Sequence, residues 1–515
     1  MGTESHIPFL QKLFWVLTIS LFLLGLLSSS APIILHDMSF NTDIARDFLL
    51  LEQTVQTHKL PLIGPRSGGI SGIFHGPLWL YLNLPAYVIG RGDPLVVGYF
   101  WIFLEVLTSG IIFWVGKKLF DQYTGAMAAV IFMLVQIDSL SALFNPFGAT
   151  MVFPLFFYLL VRYLQNKQFR YLISALFLCG LMIQFQIAFG GPILFLSSLI
   201  ILAVILRTRK FSHLLAYLIL LIPFSTYILF DLRHQFLELH SLISYAHGAT
   251  GSVKGFDTKS FMSNRYDSLT NAIAFIAYTP WYSHLIATIF FFFVLLFAWR
   301  TPEKGREVEY RLFVYLFLGY FALTYLYRGV VWSYYYAPFV PVTALVLLSI
   351  RKYVARIFFW IAIIIAVYPL AIYDLNVHAV PTSVGYDTGS WLFNEHVAEK
   401  VFGDNEKEFG YYIFSPDEYG YSPRYAMHFI ATKHPLQKAD AYMKKPITYL
   451  LISPPGGKSN GIQGDWWVIN KVHITKQPIQ TWTFPNGFRV EKYALDASDI
   501  SVPSDPNMIT DLSFR

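Results

Sequence analysis

Residues 76–90 read Gly76-Pro77-Leu78-Trp79-Leu80-Tyr81-Leu82-Asn83-Leu84-Pro85-Ala86-Tyr87-Val88-Ile89-Gly90. Whether this apolar stretch crosses a membrane decides the sidedness of every loop after it. It is too short to span a hydrocarbon core of about 30 Å, and Pro85 interrupts its hydrogen bonding. We expect a helix lying in the membrane interface, with Trp79, Tyr81 and Tyr87 as interfacial aromatics.

Working outward, eleven longer apolar runs appear near 13–30, 94–116, 122–141, 148–165, 170–187, 189–206, 212–230, 282–299, 311–327, 334–350 and 355–373. In the first, Ser28-Ser29-Ser30-Ala31 resembles a signal-peptide cleavage site. Its charged leader is poor and many spans follow, so a retained helix is expected. The chain is 55% hydrophobic and only 14% charged, with a mean hydropathy of +0.48, which excludes a soluble protein of this length. Five basic clusters fall in alternate loops: Lys117/Lys118, Arg162/Lys167/Arg170, Arg207/Arg209/Lys210, Arg300/Lys304/Arg306/Arg311 and Arg351/Lys352/Arg356. The positive-inside bias puts them in the cytoplasm. Loops 31–93, 142–147, 187–189, 231–281 and 328–333 and the tail are then extracytoplasmic. Had 76–90 been a span, all of this would invert.

Residues 376–515 hold 13 Lys/Arg and 15 Asp/Glu, against 25 and 17 in residues 1–375. The net +6 divides into +8 for the membrane part and −2 for the tail; sidedness accounts for the positive excess and no nucleic-acid partner is implied. Cys179 is the only cysteine, so no intrachain disulfide can form. The tail carries turn residues, strand-like runs at Ile447–Ile452 and Trp466-Trp467-Val468-Ile469, and a helix near 389–401. The expected fold is an α-helical polytopic membrane protein of about eleven spans over 1–375. A small extracytoplasmic α/β domain over 376–515 follows it. The site is expected in the first outer loop, 31–93.

That loop opens His36-Asp37-Met38-Ser39-Phe40-Asn41-Thr42-Asp43-Ile44-Ala45-Arg46-Asp47, directly after the first span. From Asp43 to about Thr57 the spacing is helical, with Ile44, Phe48, Leu51 and Val55 on one face. Asp43 and Asp47 share another face, with Arg46 between them. A carboxylate here can act as general base towards an acceptor hydroxyl. Local pattern alone favours a surface helix with Asp43 as its N-cap. A Gly/Pro-rich loop with Arg66 and His75 follows; freed backbone N–H groups and an arginine can cradle a phosphate, or the glycines only permit turns. It lacks the Gly-Lys-Ser/Thr ending of a nucleotide loop. Glu105 lies mid-span, and Asp138, Asn145, Gln184 and Gln186 lie near outer span ends. Intramembrane acids are costly and often functional, whereas Asn and Gln serve first in helix-to-helix hydrogen bonds. Arg328 is an isolated outer cation between Tyr325-Leu326-Tyr327 and Trp332-Ser333-Tyr334-Tyr335-Tyr336-Ala337-Pro338. The aromatics around it can stack on a sugar or simply form an interfacial belt.

These features resemble the GT-C glycosyltransferases, the superfamily of protein O-mannosyltransferases and the aminoarabinose transferase of lipid A, and within it the bacterial family 39-like branch. Asp43-Ile44-Ala45-Arg46-Asp47 is similar to that branch's Asp-x-x-Arg-Asp element. Pro61-Leu62-Ile63-Gly64-Pro65 and His75-Gly76-Pro77-Leu78 match its next two motifs. Phe144-Asn145-Pro146 is close to its Trp-Asn-Pro, and Tyr335-Tyr336-Ala337-Pro338 to its Tyr-Tyr-x-x-Pro. Ile183-Gln184-Phe185-Gln186 keeps the first Gln of Leu-Gln-Leu-His and replaces the His, and Ser141 stands near where the branch has an arginine. The likeness covers about residues 10–350.

The resemblance implies an inverting transferase of the inner cell membrane that moves a sugar from a polyprenyl-phosphate-linked donor to a hydroxyl of a protein, lipid or glycan acceptor. Asp43, with Asp47 beside it, would be the catalytic carboxylate. Arg46, His75, Asn145, Gln184, Gln186 and Tyr335 would shape the substrate site. Arg66 and Arg328 are inferred as phosphate ligands from charge and sidedness. Some superfamily members use a divalent metal, but no ligand set stands out here. The competing expectations are a transporter or flippase for lipid-linked sugars, and a degenerate scaffold of envelope glycan assembly.

Overall fold

The structure is a computed structural model. It describes residues 6–67, 70–135, 142–247, 257–274, 307–350, 387–454 and 464–508, with single positions at 289, 292, 296, 510 and 512. The expected spans 282–299 and 355–373 lie outside these residues, single positions apart, as do Asp138, Ser141 and the basic clusters at 300–306 and 351–356.

Helices dominate the first 350 residues. Among the described residues, five are long and apolar enough to cross a membrane: Gln11–Ile34, Pro94–Leu119, Pro146–Asn166, Ile187–Thr208 and Phe211–Arg233. The last begins as a tight 3-10 segment, Phe211–Leu220, before becoming α-helical. The stretch at 76–90 is a helix over Leu78–Ile89. Its twelve residues rise about 18 Å, too little to span. Two of its three aromatics, however, face protein and not a membrane surface. Trp79 and Tyr87 are buried, and Tyr81 donates its hydroxyl to the Pro61 carbonyl. Trp79 packs edge-on against Phe147 and Phe185. Protein partners far along the chain take the place expected for lipid headgroups.

The chain divides into two compact units. One comprises Met1–Ser30, Leu60–Leu82 and Trp101–Val377; the other comprises Ala31–Lys59, Asn83–Phe100 and His378–Arg515. In the first, Phe339 lies 5.1–5.3 Å from Phe153, Phe189 and Phe317, and these rings form the core between helices. Helices Phe169–Phe185 and Ile187–Thr208 are joined by Gln186 alone, in extended conformation. The reversal brings Gly190 against the Ile183 backbone, an approach that a side chain would block.

The second unit contains a five-stranded sheet of β1 (Glu408–Phe414), β2 (Lys438–Ala441), β3 (Ile447–Ile452), β4 (Gln480–Thr483) and β5 (Arg489–Ala494). The order is β2-β1-β3-β5-β4, with β1 parallel to β2 and β3 and the other pairs antiparallel. Helix Tyr421–Lys433 joins β1 to β2. The short link from β2 to β3 passes over Gly410, where the Met443 carbonyl leaves no room for a Cβ. Helix Trp391–Phe402 and strand Ile447–Ile452 lie where expected. Residues 466–469 are not a strand: they belong to helical turns at Gly464–Trp467 and Val468–Val472. Four apolar residues carry no periodicity that separates the two states.

Candidate active site

Helix Thr42–Thr57 carries the acidic motif. Its N-cap is Asn41, not Asp43. The Asn41 side chain accepts from the backbone N–H groups of Asp43 (3.1 Å) and Ile44 (3.2 Å). Asp43 is thereby freed from capping and placed in the first turn, where an anion is favoured by the helix dipole. Ile44, Phe48 and Leu51 are buried, and Val55 at the far end of the same stripe is exposed.

Arg46 bridges the two acids. Its Nη1 donates to Asp43 Oδ1 at 2.7 Å, and its Nη2 and Nε reach Asp47 Oδ1 at 3.0 and 3.2 Å. The two carboxylates differ in setting: the Asp43 side chain is 49% exposed and that of Asp47 only 6%. Asp47 Oδ2 is buried without a hydrogen-bond partner. Burial pushes the Asp47 carboxyl up to about 6; the Arg46 charge opposes this and the Asp43 charge adds to it. The cluster is an accessible carboxylate held by a guanidinium that a buried carboxylate holds in turn.

The remaining expected residues lie in the first unit. The Gly/Pro-rich loop closes on itself: Gly64 N–H donates to the His75 carbonyl, His75 N–H to Pro65 and Ser67 N–H to Ile73. His75 is buried, whereas Arg66 is exposed and donates to Ser71 Oγ at 2.9 Å. Gly76 abuts the side-chain amide of Gln184 so closely that only glycine fits. Gln184 donates to the Pro223 carbonyl and to Thr226 Oγ1, and Asn145 Nδ2 donates to the Phe185 carbonyl at 2.6 Å. Both side chains thus make helix-to-helix bonds. Gln186 and Glu105 are fully buried, and neither side chain has a hydrogen-bond partner.

Tyr335 lines an apolar pocket of about 290 Å³ with Ser67, Ile73, Tyr245, Tyr320 and Tyr327. Arg66 and Arg328 are the sequence neighbours of Ser67 and Tyr327. The exposed Arg328 is fixed through its backbone N–H, which donates to the Tyr245 hydroxyl at 3.0 Å.

Two residues of this region escaped the sequence reading. Arg265 is buried and donates to the carbonyls of Thr324, Tyr327 and Gly329, which shapes the pocket's 324–331 wall. Glu238 is buried against the Gly-rich loop and accepts from Phe74 N–H at 3.1 Å. Burial raises its carboxyl to about 7, against the lowering effect of that hydrogen bond. Both sit in the long loop 231–281, whose charged residues were the available signal. Among the described residues, no group of three or more His, Cys, Asp and Glu side chains is placed to hold a metal ion.

The family model of dolichyl-phosphate-mannose-protein mannosyltransferase matches residues 75–230. No curated protein sequence matches the chain. Among solved structures, the chain is similar to ArnT from Cupriavidus metallidurans bound to undecaprenyl phosphate, with a TM-score of 0.55 at 9% identity over 97% of this chain and 100% of that one. Apo ArnT from the same organism gives 0.57 at 10% identity, over 94% and 98%. The likeness extends through the tail, beyond the 10–350 expected. The family model thus covers the segment 75–230, and over nearly the whole chain the fold is similar to that of ArnT.

Proposed function

We propose that the protein transfers a sugar from a polyprenyl-phosphate-linked donor to an acceptor hydroxyl at the extracytoplasmic face of the cell membrane, with inversion. The observation that carries this reading is the Asp43–Arg46–Asp47 cluster on the helix that follows the first span. Asp43 Oδ2 takes the acceptor hydroxyl proton, the acceptor oxygen bonds to the anomeric carbon, and the bond from that carbon to the phosphate oxygen breaks with its electron pair on the phosphate. Arg46 sets the carboxylate's rotamer and Asp47 sets Arg46, so the base is oriented before the acceptor arrives.

An apolar pocket lined by Ser67 and Tyr327, the sequence neighbours of Arg66 and Arg328, suits an isoprenoid chain, and those arginines are the cations available for its phosphate. The carrier bound by ArnT is of that chemistry. Mass spectrometry of lipid-linked sugars and surface glycans tests the reading. Cells carrying only Asp43→Asn should lose one glycan product and accumulate its lipid-linked donor. Wild-type product from that variant, correctly inserted, sinks it.

A further inference from the structure

The segment that delivers the chain into the acidic helix is stitched to the tail on both sides. Phe40 N–H donates to the Gly389 carbonyl (2.5 Å), Trp391 N–H donates to the Met38 carbonyl (2.8 Å), and Ser39 forms a β-bridge with Ser390. Ser422 Oγ donates to the Phe40 carbonyl at 2.6 Å. Thr42 Oγ1, one residue before Asp43, donates to Asp417 Oδ2. The other oxygen of Asp417 accepts the backbone N–H groups of Tyr419 (3.1 Å) and Gly420 (3.3 Å). Gly420, at φ +58, is in the left-handed region that glycine adopts without strain. One carboxylate therefore closes the turn after β1 and grips the first turn of the acidic helix.

A second link lies further along the same helix. His428 Nδ1 lies 2.8 Å from Glu52 Oε2, and the Tyr425 hydroxyl donates to the Gly92 carbonyl at 2.5 Å. Phe40, Phe48, Trp391 and Tyr425 fill the space between with ring contacts of 4.9–6.0 Å. These would dock the tail without help from Asp417. The Thr42–Asp417 bond is exposed and adds little to that docking. What it fixes is the direction in which the first turn presents Asp43.

We propose that Asp417 is a positioning residue for the transfer reaction, acting on Asp43 through Thr42. The tail is thus a working part of the site and not an appended module. This rests on the reading of Asp43 as the base.

The test uses the full-length chain with five variants: Asp43→Asn, Asp417→Ala, Thr42→Val, the double variant Thr42→Val/Asp417→Ala and, as a docking control, His428→Ala. Product is read by mass spectrometry of cell-surface glycans, and donor-side integrity by binding of undecaprenyl phosphate to the purified protein. Asp417→Ala and Thr42→Val should each lower product at least about tenfold, within the range for a mispositioned catalytic group. The double variant should lose no more than Asp417→Ala alone, undecaprenyl phosphate binding should stay within about twofold, and His428→Ala should keep wild-type product. Equal losses from Asp417→Ala and His428→Ala would mean docking only and overturn the proposal. Normal product from Asp417→Ala with none from Asp43→Asn overturns this inference alone. Normal product from Asp43→Asn overturns both readings.

Discussion

The first turns of helix Thr42–Thr57 carry their polarity on side chains: two carboxylates, one guanidinium and an asparagine cap, joined by bonds of 2.7–3.2 Å. Residues 60–76, next along the chain, carry theirs on the backbone. The loop pairs its own N–H and C=O groups and admits no Cβ at Gly64 or Gly76. The difference teaches where each region is fragile. A charge change breaks the helix cluster and leaves its backbone intact. A methyl group breaks the loop, whereas changing its exposed arginine leaves its frame standing.

The largest expected effect is on the helix. Asp43→Asn removes the base and should cut product on the order of 10²–10⁴-fold, with an unchanged circular dichroism spectrum; a loss of helix would break the comparison. Asp47→Asn should separate stability from activity. Burial holds the folded carboxyl up at about 6, above its ordinary value of 3.8, so the unfolded chain releases its proton first. The folded state then loses stability as pH rises from about 4 to about 6 and stays at that lower level above it. Asp47→Asn should remove that slope, while lowering product because Arg46 loses its anchor. A melting curve that keeps its pH dependence between 4 and 6 would assign the slope elsewhere.

On the loop, Gly76→Ala drives a methyl into the Gln184 amide and should destabilise by about 1–3 kcal/mol. Measured as a fall in melting temperature, the loss should shrink when combined with Gln184→Ala. The smallest effect expected is that of Asn41→Ala, about 0.5–2 kcal/mol for a lost cap. Were Asp43 the cap, Asn41→Ala would be silent.

What was readable in the chain was what is local. The i, i+4 spacing of Asp43 and Asp47 with Arg46 between them follows from helical period alone. The shortness of 78–89 and the strand at 447–452 are equally local properties. The cap was misassigned because Asn41 and Asp43, two residues apart, are both good capping residues, and only the helix start distinguishes them. Trp79 and Tyr87 looked interfacial because their partners, Phe147, Phe185 and Tyr425, are distant in sequence. Arg265 was overlooked because its partners are backbone carbonyls, which leave no mark on the residue types around them. The grip of Asp417 on Thr42 left no trace because the two side chains lie 375 residues apart.

That grip spans 375 residues of chain, and its length has a consequence for synthesis. At 5–20 residues per second, the acidic helix waits about 20–75 s between its own emergence and that of the segment that frames it. During that interval Phe40 and Phe48 lack their tail partners, Trp391 and Tyr425, and the carboxylates are unaimed. A chain halted anywhere before residue 417 therefore leaves the acidic motif present but unframed, so maturation of the site is tied to completion of the polypeptide.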